Sequence, residues 1–318
     1  MRIVFMGTPD FAAASLQALI DHRQQVLAVV TQPDRPKGRG KQVQAPPVKQ
    51  LALQHNIPVL QPSNIRTEEF YHTLQELQPE CIVVVAYGKI LPPAILHLPP
   101  KGCINVHASL LPQYRGSAPI HWAVINGERT TGVTTMFMDE GMDTGDMILK
   151  KQLTIDHHDN VGVVHDRLAK MGAELLVETL ELLEHNKAPR QPQDHSQATY
   201  APMLKKEHEL IDWHKSAPAI HNHVRGMNPW PGTYTLWQGK VLKIWRTDIP
   251  QTREINSLPG TVLEESSAGI LVQTGQGQIL IQELQLQGGK RMEVGEFLKG
   301  KKLTPGTILG SQEGDEAP

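Results

Sequence analysis

The chain has 318 residues, 39% of them hydrophobic and 20% charged, with a formal net charge of -2. That length supports two domains with separate cores, and the charge balance excludes a chain coated along its whole surface with cations for nucleic acid. There are two cysteines, Cys81 and Cys103, both inside apolar runs, which excludes a disulfide framework and predicts buried thiols in a reducing compartment.

The N-terminal run RIVFMG reads as a first strand. With one arginine and four apolar residues before Gly7, it is too short for a signal-peptide core. No apolar run approaches the ~20 residues of a membrane span, so a cytoplasmic protein is expected. From Pro9 onward, Phe11, Ala14, Leu16 and Leu19 have helical spacing. QVLAVVTQ follows as a strand, VKQLALQHN as a helix and IPVLQ as a strand. TEEFYHTLQELQ is a helix opened by Thr67, with acids in its first turn. CIVVVAYG, ending in Gly88, is the near-continuous apolar run of a strand buried on both faces. The alternation predicts a doubly wound α/β domain with a parallel sheet.

Beyond Gly102 the strands shorten. NVGVVHDRLAKMGAELLVETLELLEHN predicts a long amphipathic helix with Val161, Val164, Leu168, Leu175, Thr179 and Leu183 on one face, capped by Asp159 or Asn160. KAPRQPQDHSQATYAPMLKKE, with three prolines and no hydrophobic period, has the composition of a linker. After it come a short helix and many short strands with glycine turns, which predict a small barrel of about 100 residues. The expected division is 1–189 for the α/β domain, 190–206 for the linker, 207–310 for the barrel and 311–318 for a tail.

The most unusual chemistry lies in INVHASLLPQYRG. Asn105 and His107 are two apart on an apolar strand, so an amide and an imidazole point to the same side. The strand ends in a Leu-Leu-Pro turn, and Arg115 and Gly116 follow. Neither a zinc signature nor a nucleophilic serine or cysteine elbow surrounds the pair. GTPDF follows a strand but lacks G-x-G-x-x-G, which leaves a dinucleotide cofactor unsupported. His157 and His158, like His221 and His223, are pairs without a third ligand at a useful spacing, and no metal is expected. NPWPGTY reads as aromatic packing under a turn. Between Asp34 and Lys49, Arg35, Lys37, Arg39, Lys41 and Lys49 stand against one acid, giving a local charge of +4, and Gly38 and Gly40 loosen the loop. The spacing is wrong for a phosphate loop, which leaves a solvated loop or contact with a nucleic-acid backbone. Further cations sit at Lys205, Lys206, Lys290, Arg291, Lys299, Lys301 and Lys302.

The stretch from Ile104 to Ile148 resembles the formyltransferases that use 10-formyltetrahydrofolate. The resemblance is carried by Asn105 and His107, by SLLPQYRGSAP, and by Asp143 of MDTGDMI, in order and spacing. GTPDF (7–11), TQPDRPKGRGK (31–41), VVAYGKILP (84–92) and NPWPGTY (228–234) extend it over nearly the whole chain. It implies a Rossmann-like catalytic domain followed by an OB-like, tRNA-binding barrel. It also implies transfer of a formyl group from 10-formyltetrahydrofolate, without a metal, to the α-amino group of initiator methionyl-tRNA by a monomer. Asn105 is then the donor to the developing oxyanion, His107 the proton carrier, and Asp143 the group that holds a water or the imidazole. Ser109, Leu110, Leu111 and Pro112 match the folate-binding stretch, with Ala86, Tyr87 and Gly88 as a second wall. Arg39, supported by Lys41, Arg35, Lys37, Lys205 and Lys206, is expected on the tRNA. Three rival readings stay open at this point: formylation of a small amine, hydrolysis of the formyl-folate, and RNA binding by a chain that has lost catalysis.

Overall fold

The computed structural model describes residues 1–37, 42–251 and 257–310. The chain runs through β1 (Arg2–Gly7), α1 (Asp10–Asp21), β2 (Gln25–Val30), the short hairpin strands β3 (Arg35–Lys37) and β4 (Gln42–Gln44), α2 (Pro47–Gln54) and β5 (Val59–Leu60). There follow α3 (Glu68–Leu77), β6 (Cys81–Val85), the single turn α4 (Pro93–Leu96), β7 (Cys103–His107), β8 (Arg115–Gly116) and α5 (Pro119–Ile125). β9 (Thr130–Phe137), β10 (Met147–Thr154), α6 (Val161–Glu184) and β11 (Tyr200–Ala201) complete this part.

Seven strands form one sheet in the order β10-β9-β7-β6-β1-β2-β5. The five from β7 to β5 are parallel, and β9 and β10 add an antiparallel edge. β6 is buried at all five positions, as its apolar run requires, and each large side chain so buried stabilises the fold by roughly 1.5–3 kcal/mol. β1 and β6 approach so closely at Gly7 that a Cβ there would meet Val85 O at 2.9 Å. The two thiols lie buried on neighbouring strands, and burial pushes the Cys103 thiol up to about 12, so neither is a nucleophile. Thr67 caps α3 by accepting from Phe70 N–H, and Asn160 caps α6 by accepting from Val163 N–H.

The chain divides into two compact units, one of residues 1–119, 130–154 and 165–202, the other of 120–129, 155–164 and 203–318. In the second unit, α7 (Ala217–Met227) precedes β12 (Thr233–Trp237), β13 (Lys240–Asp248), β14 (Val262–Ser266), β15 (Gly269–Gln273), β16 (Gln278–Leu286), β17 (Met292–Glu293) and the single turn α8 (Val294–Phe297). Their antiparallel sheet has the order β12-β13-β16-β15-β14, with β17 on β16. The segment 307–310 touches both edges: Leu309 N–H donates to Gly260 O beside β14, and Gly310 N–H donates to Leu236 O on β12. Leu242, Ile270, Val272, Ile279, Ile281 and Leu284 fill its core. NPWPGTY differs from its expected packing role, since Trp230 is partly exposed and meets His121 edge-on.

The segment expected as a linker is a strap. Gln191 exchanges two backbone hydrogen bonds with Met147, and Tyr200 and Ala201 pair with β8. Proline and polar residues give no period because the strap's partners lie far away in sequence.

Two histidines of α7, His221 buried and His223 half-buried, set a pH dependence for the second unit. His221 stacks on His157 at 4.6 Å and pairs with Thr247 Oγ1, and His223 pairs with His208 O. Burial holds both rings below the usual histidine pKa. The unfolded chain therefore takes up these protons first, near about pH 6.5, so this stability is complete above that pH and is lost as pH falls toward the depressed folded values. The melting temperature is expected to drop between pH 7.5 and 5, and to drop less in His221→Gln. Equal pH dependence of the variant and the parent would contradict this.

Candidate active site

The parallel strands reverse direction of addition between β1 and β6, and the crevice at the carboxyl ends of strands around such a point is where doubly wound sheets bind ligands. β7 ends one strand further on and delivers Asn105 and His107 there. Asn105 pairs in register with Val84 and Met136, which fixes its backbone. Its side chain is half-buried and makes no hydrogen bond among the described residues. Its NH2 and carbonyl are therefore open to a ligand.

His107 is 6% exposed, and its Nε2 lies 3.0 Å from Tyr114 O. A carbonyl only accepts, so Nε2 carries the proton and the neutral ring keeps its lone pair on Nδ1. Asp143 folds back across 36 residues of sequence to place Oδ2 3.7 Å from that Nδ1. The gap is too long for a direct hydrogen bond and suits a bridging water. The same Oδ2 accepts from Gly116 N–H at 2.8 Å. Tyr114 and Asp143 both sit at positive φ, 59° and 54°, and such backbone strain is characteristic of functional sites. Gly116 has φ 117°, and a Cβ there would stand 2.7 Å from Ala201 O, so only glycine fits between Asp143 and the strap.

The Leu-Leu-Pro turn is braced from within. The Thr134 hydroxyl donates to Ser109 O and accepts from Leu111 N–H, while Lys150 Nζ donates to Leu111 O. The Ser109 hydroxyl donates to Gln113 O. Leu111, expected to cover a pterin, is buried against Met136 and Met147, so Leu110 and Pro112 are the half-exposed faces of the turn. At the end of β6, Ala86 and Gly88 are exposed at positive φ, but the Tyr87 ring is buried in the core and its carbonyl accepts from Gln32 Nε2. Burial pushes the Tyr87 phenol up to about 12.

Of the expected RNA contacts, Arg39 and Lys41 lie outside the described residues, as does the 311–318 tail. Lys37 is placed by its backbone in β3, and Arg35 is exposed. Lys49 is not a free cation: it pairs with Asp34 at 2.7 Å and anchors the base of the hairpin. Lys205 and Lys206 are exposed, the former 3.5 Å from Glu207. Arg291 is committed to Glu283 and Trp245, and Lys299 to Glu296. Lys240, Lys290 and Lys301 instead line a shallow groove of about 850 Å³ beside Gly288 and Gly289. The histidine pair does gain a third donor: Asp248, half-buried on β13, comes within 4.8 Å of the ligand atoms of the exposed His157 and His158. Local spacing misses it because β13 is 90 residues away.

Sequence reasoning missed Arg115 and Gln193 as part of the site. Gln193 lies in the supposed linker, and the burial of Arg115 is decided by the tertiary structure; the one signal in the sequence was an arginine beside a glycine.

Comparisons with known proteins match both parts of the chain. Residues 1–180 match the family model described as formyl transferase, and residues 203–302 match the formyl transferase C-terminal domain. A methionyl-tRNA formyltransferase of Desulforamulus reducens is 71% identical over 99% of both chains, and one of Pelotomaculum thermopropionicum is 56% identical over 98% of this chain and 99% of the relative. Among solved structures, an N-formyltransferase of Helicobacter canadensis, in complex with folinic acid and dTDP-3-aminofucose, superposes with a TM-score of 0.67 at 19% identity, over 88% of this chain and 98% of that one. HypX of Aquifex aeolicus in complex with tetrahydrofolic acid gives 0.62 at 18% identity, over 96% of this chain and 49% of that one, a likeness of fold. With both parts matched and such identity sustained from end to end, the chain belongs to the formyl transferase family, among the methionyl-tRNA formyltransferases.

Proposed function

We propose that the protein transfers the formyl group of 10-formyltetrahydrofolate to the α-amino group of initiator methionyl-tRNA, giving N-formylmethionyl-tRNA for translation initiation. The observation that carries this reading is the Asn105–His107–Asp143 constellation at the strand ends of a chain 71% identical to a methionyl-tRNA formyltransferase. The folate supplies the formyl carbon and leaves through its N10; Ala86, Gly88, Leu110 and Pro112 are the faces proposed to hold it, with Ser109, Leu111 and Tyr87 bracing them from behind. Asn105 Nδ2 donates to the formyl oxygen as it gains charge. His107 Nδ1, held free by the Tyr114 bond, takes the proton of the attacking amine and passes it to the departing N10, and Asp143 orients a water between them. A free α-amino group titrates near about 7.7–8.0, and an esterified carboxyl lowers that, so the amine needs orientation more than a strong base.

The division proposed is 1–189 for catalysis, 190–206 connecting, 207–310 an OB-like barrel that binds tRNA and 311–318 a tail, in a cytoplasmic monomer without a metal. Arg35, Lys37, Arg39 and Lys41 of the 34–49 segment meet the acceptor stem, and Lys205 and Lys206 add contacts beyond it. Arg35→Ala and Arg39→Ala should each weaken tRNA binding and reduce the slope of log K against log salt by about one phosphate's share, near 0.7–0.9. Unchanged slopes would remove the hairpin from the RNA. The central test incubates the protein with 10-formyltetrahydrofolate and methionyl-tRNA and assays N-formylmethionine. Formylation of a sugar amine but not of the tRNA would overturn the reading.

A further inference from the structure

Asp143 holds a left-handed backbone, φ 54°, and nothing in its own turn explains why the carboxylate stays opposite His107. The restraint comes from the strap. Gln193, 5% exposed, donates from Nε2 to Asp143 O and to Gly145 O, both at 2.8 Å. Its Oε1 accepts from Arg115 Nε at 3.2 Å and Arg115 Nη2 at 2.6 Å. That is the full hydrogen-bonding capacity of a side-chain amide, with two donors and two acceptor positions used. Arg115, 2% exposed, forms no ion pair among the described residues; Nη2 also meets His195 Nδ1 at 3.1 Å. The residue after Arg115 is Gly116, whose N–H holds the Asp143 carboxylate.

These links close a ring. The Asp143 carboxylate is tied to Gly116, Gly116 is joined to Arg115, Arg115 is tied to Gln193, and Gln193 returns to the Asp143 carbonyl. Both ends of Asp143, backbone and carboxylate, are thus referred to one buried amide. The same strap reaches the other side of the site, where Tyr114 N–H donates to Thr199 Oγ1 at 2.8 Å while Tyr114 O fixes the His107 ring.

We infer that Gln193 is a positioning residue for formyl transfer: it sets the Asp143 carboxylate against His107 Nδ1 from within the strap. The inference rests on the proposed reaction. Gln193→Glu separates its two sides, because a carboxylate can still accept from Arg115 but cannot donate to Asp143 O and Gly145 O. Gln193→Met, similar in length, removes all four bonds.

Each variant is measured in the full chain by single-turnover formylation of methionyl-tRNA, with tRNA affinity and melting temperature alongside. The expected result is a loss of about 10- to 100-fold in the chemical rate, the scale of a misplaced catalytic group, with tRNA affinity within about two-fold. In an Asp143→Asn background, Gln193→Glu should cost less than about two-fold further, because the carboxylate it positions is already gone. A full multiplicative loss in that background would show general scaffolding and overturn the inference, as would a parental rate in both Gln193 variants. If Gln193→Glu does not fold, Gln193→Met and its Asp143→Asn combination decide by the same criterion. A parent protein that fails to formylate methionyl-tRNA overturns the proposed function instead, so the two failures are distinguishable.

Discussion

Asn105→Ala is expected to lower kcat for formyl transfer by about 10²–10³-fold while leaving the melting temperature unchanged. The side chain is half-buried at the end of β7 and makes no hydrogen bond among the described residues, so the fold loses no bond with it. On the proposed mechanism, what is lost is a donor to an oxygen that carries little charge in the bound formyl group and nearly a full charge at the tetrahedral stage. An interaction that strengthens only on the way to the transition state appears in kcat rather than in KM. Asn105→Asp should be at least as damaging, since it places an acceptor where negative charge develops. Steady-state kinetics on both substrates check this. A kcat within about three-fold of the parent would remove Asn105 from the oxyanion site.

His107→Gln is expected to lower kcat by about 10²–10⁴-fold, the range of a general acid–base group. The glutamine amide can still donate to Tyr114 O, so the buried carbonyl keeps a partner, but no titratable atom faces Asp143. His107→Ala adds a second effect: Tyr114 O loses its His107 donor, at a cost of about 1–3 kcal/mol in stability. Comparing the two separates catalysis from folding. Near-parental turnover in His107→Gln would show that the proton leaves by another route, and an unchanged melting temperature in His107→Ala would show that the Tyr114 bond is not structural.

Much of the fold was legible locally. The apolar run of β6 and the 3.6-residue period of α6 are patterns that neighbouring residues write and that one buried face reads. The cap at Thr67 was legible too, and the α6 cap was narrowed to Asp159 or Asn160, because a cap and its donor lie three residues apart. Asn105 and His107 could be paired from sequence because a strand returns to the same face every second residue. The long-range parts of the site had no such code. β8 and β11 are two residues each, and they exist because Arg115 and Gly116 find Tyr200 and Ala201.

The residues by themselves determined that the first part is an α/β domain built on parallel strands, though not the antiparallel edge of β9 and β10, that an amide and an imidazole leave it on one side, and that the 34–49 loop is cationic. Tertiary structure alone decided which other groups meet them. It brought Asp143 to 3.7 Å from His107, turned Leu111 inward, paired Lys49 with Asp34, and laid a proline-rich strap along the site so that Gln193 holds the Asp143 turn. The physical reason is that periodicity records which face a residue buries, whereas a polar side chain's partner is chosen by whichever distant donor or acceptor the packed chain leaves within about 3 Å.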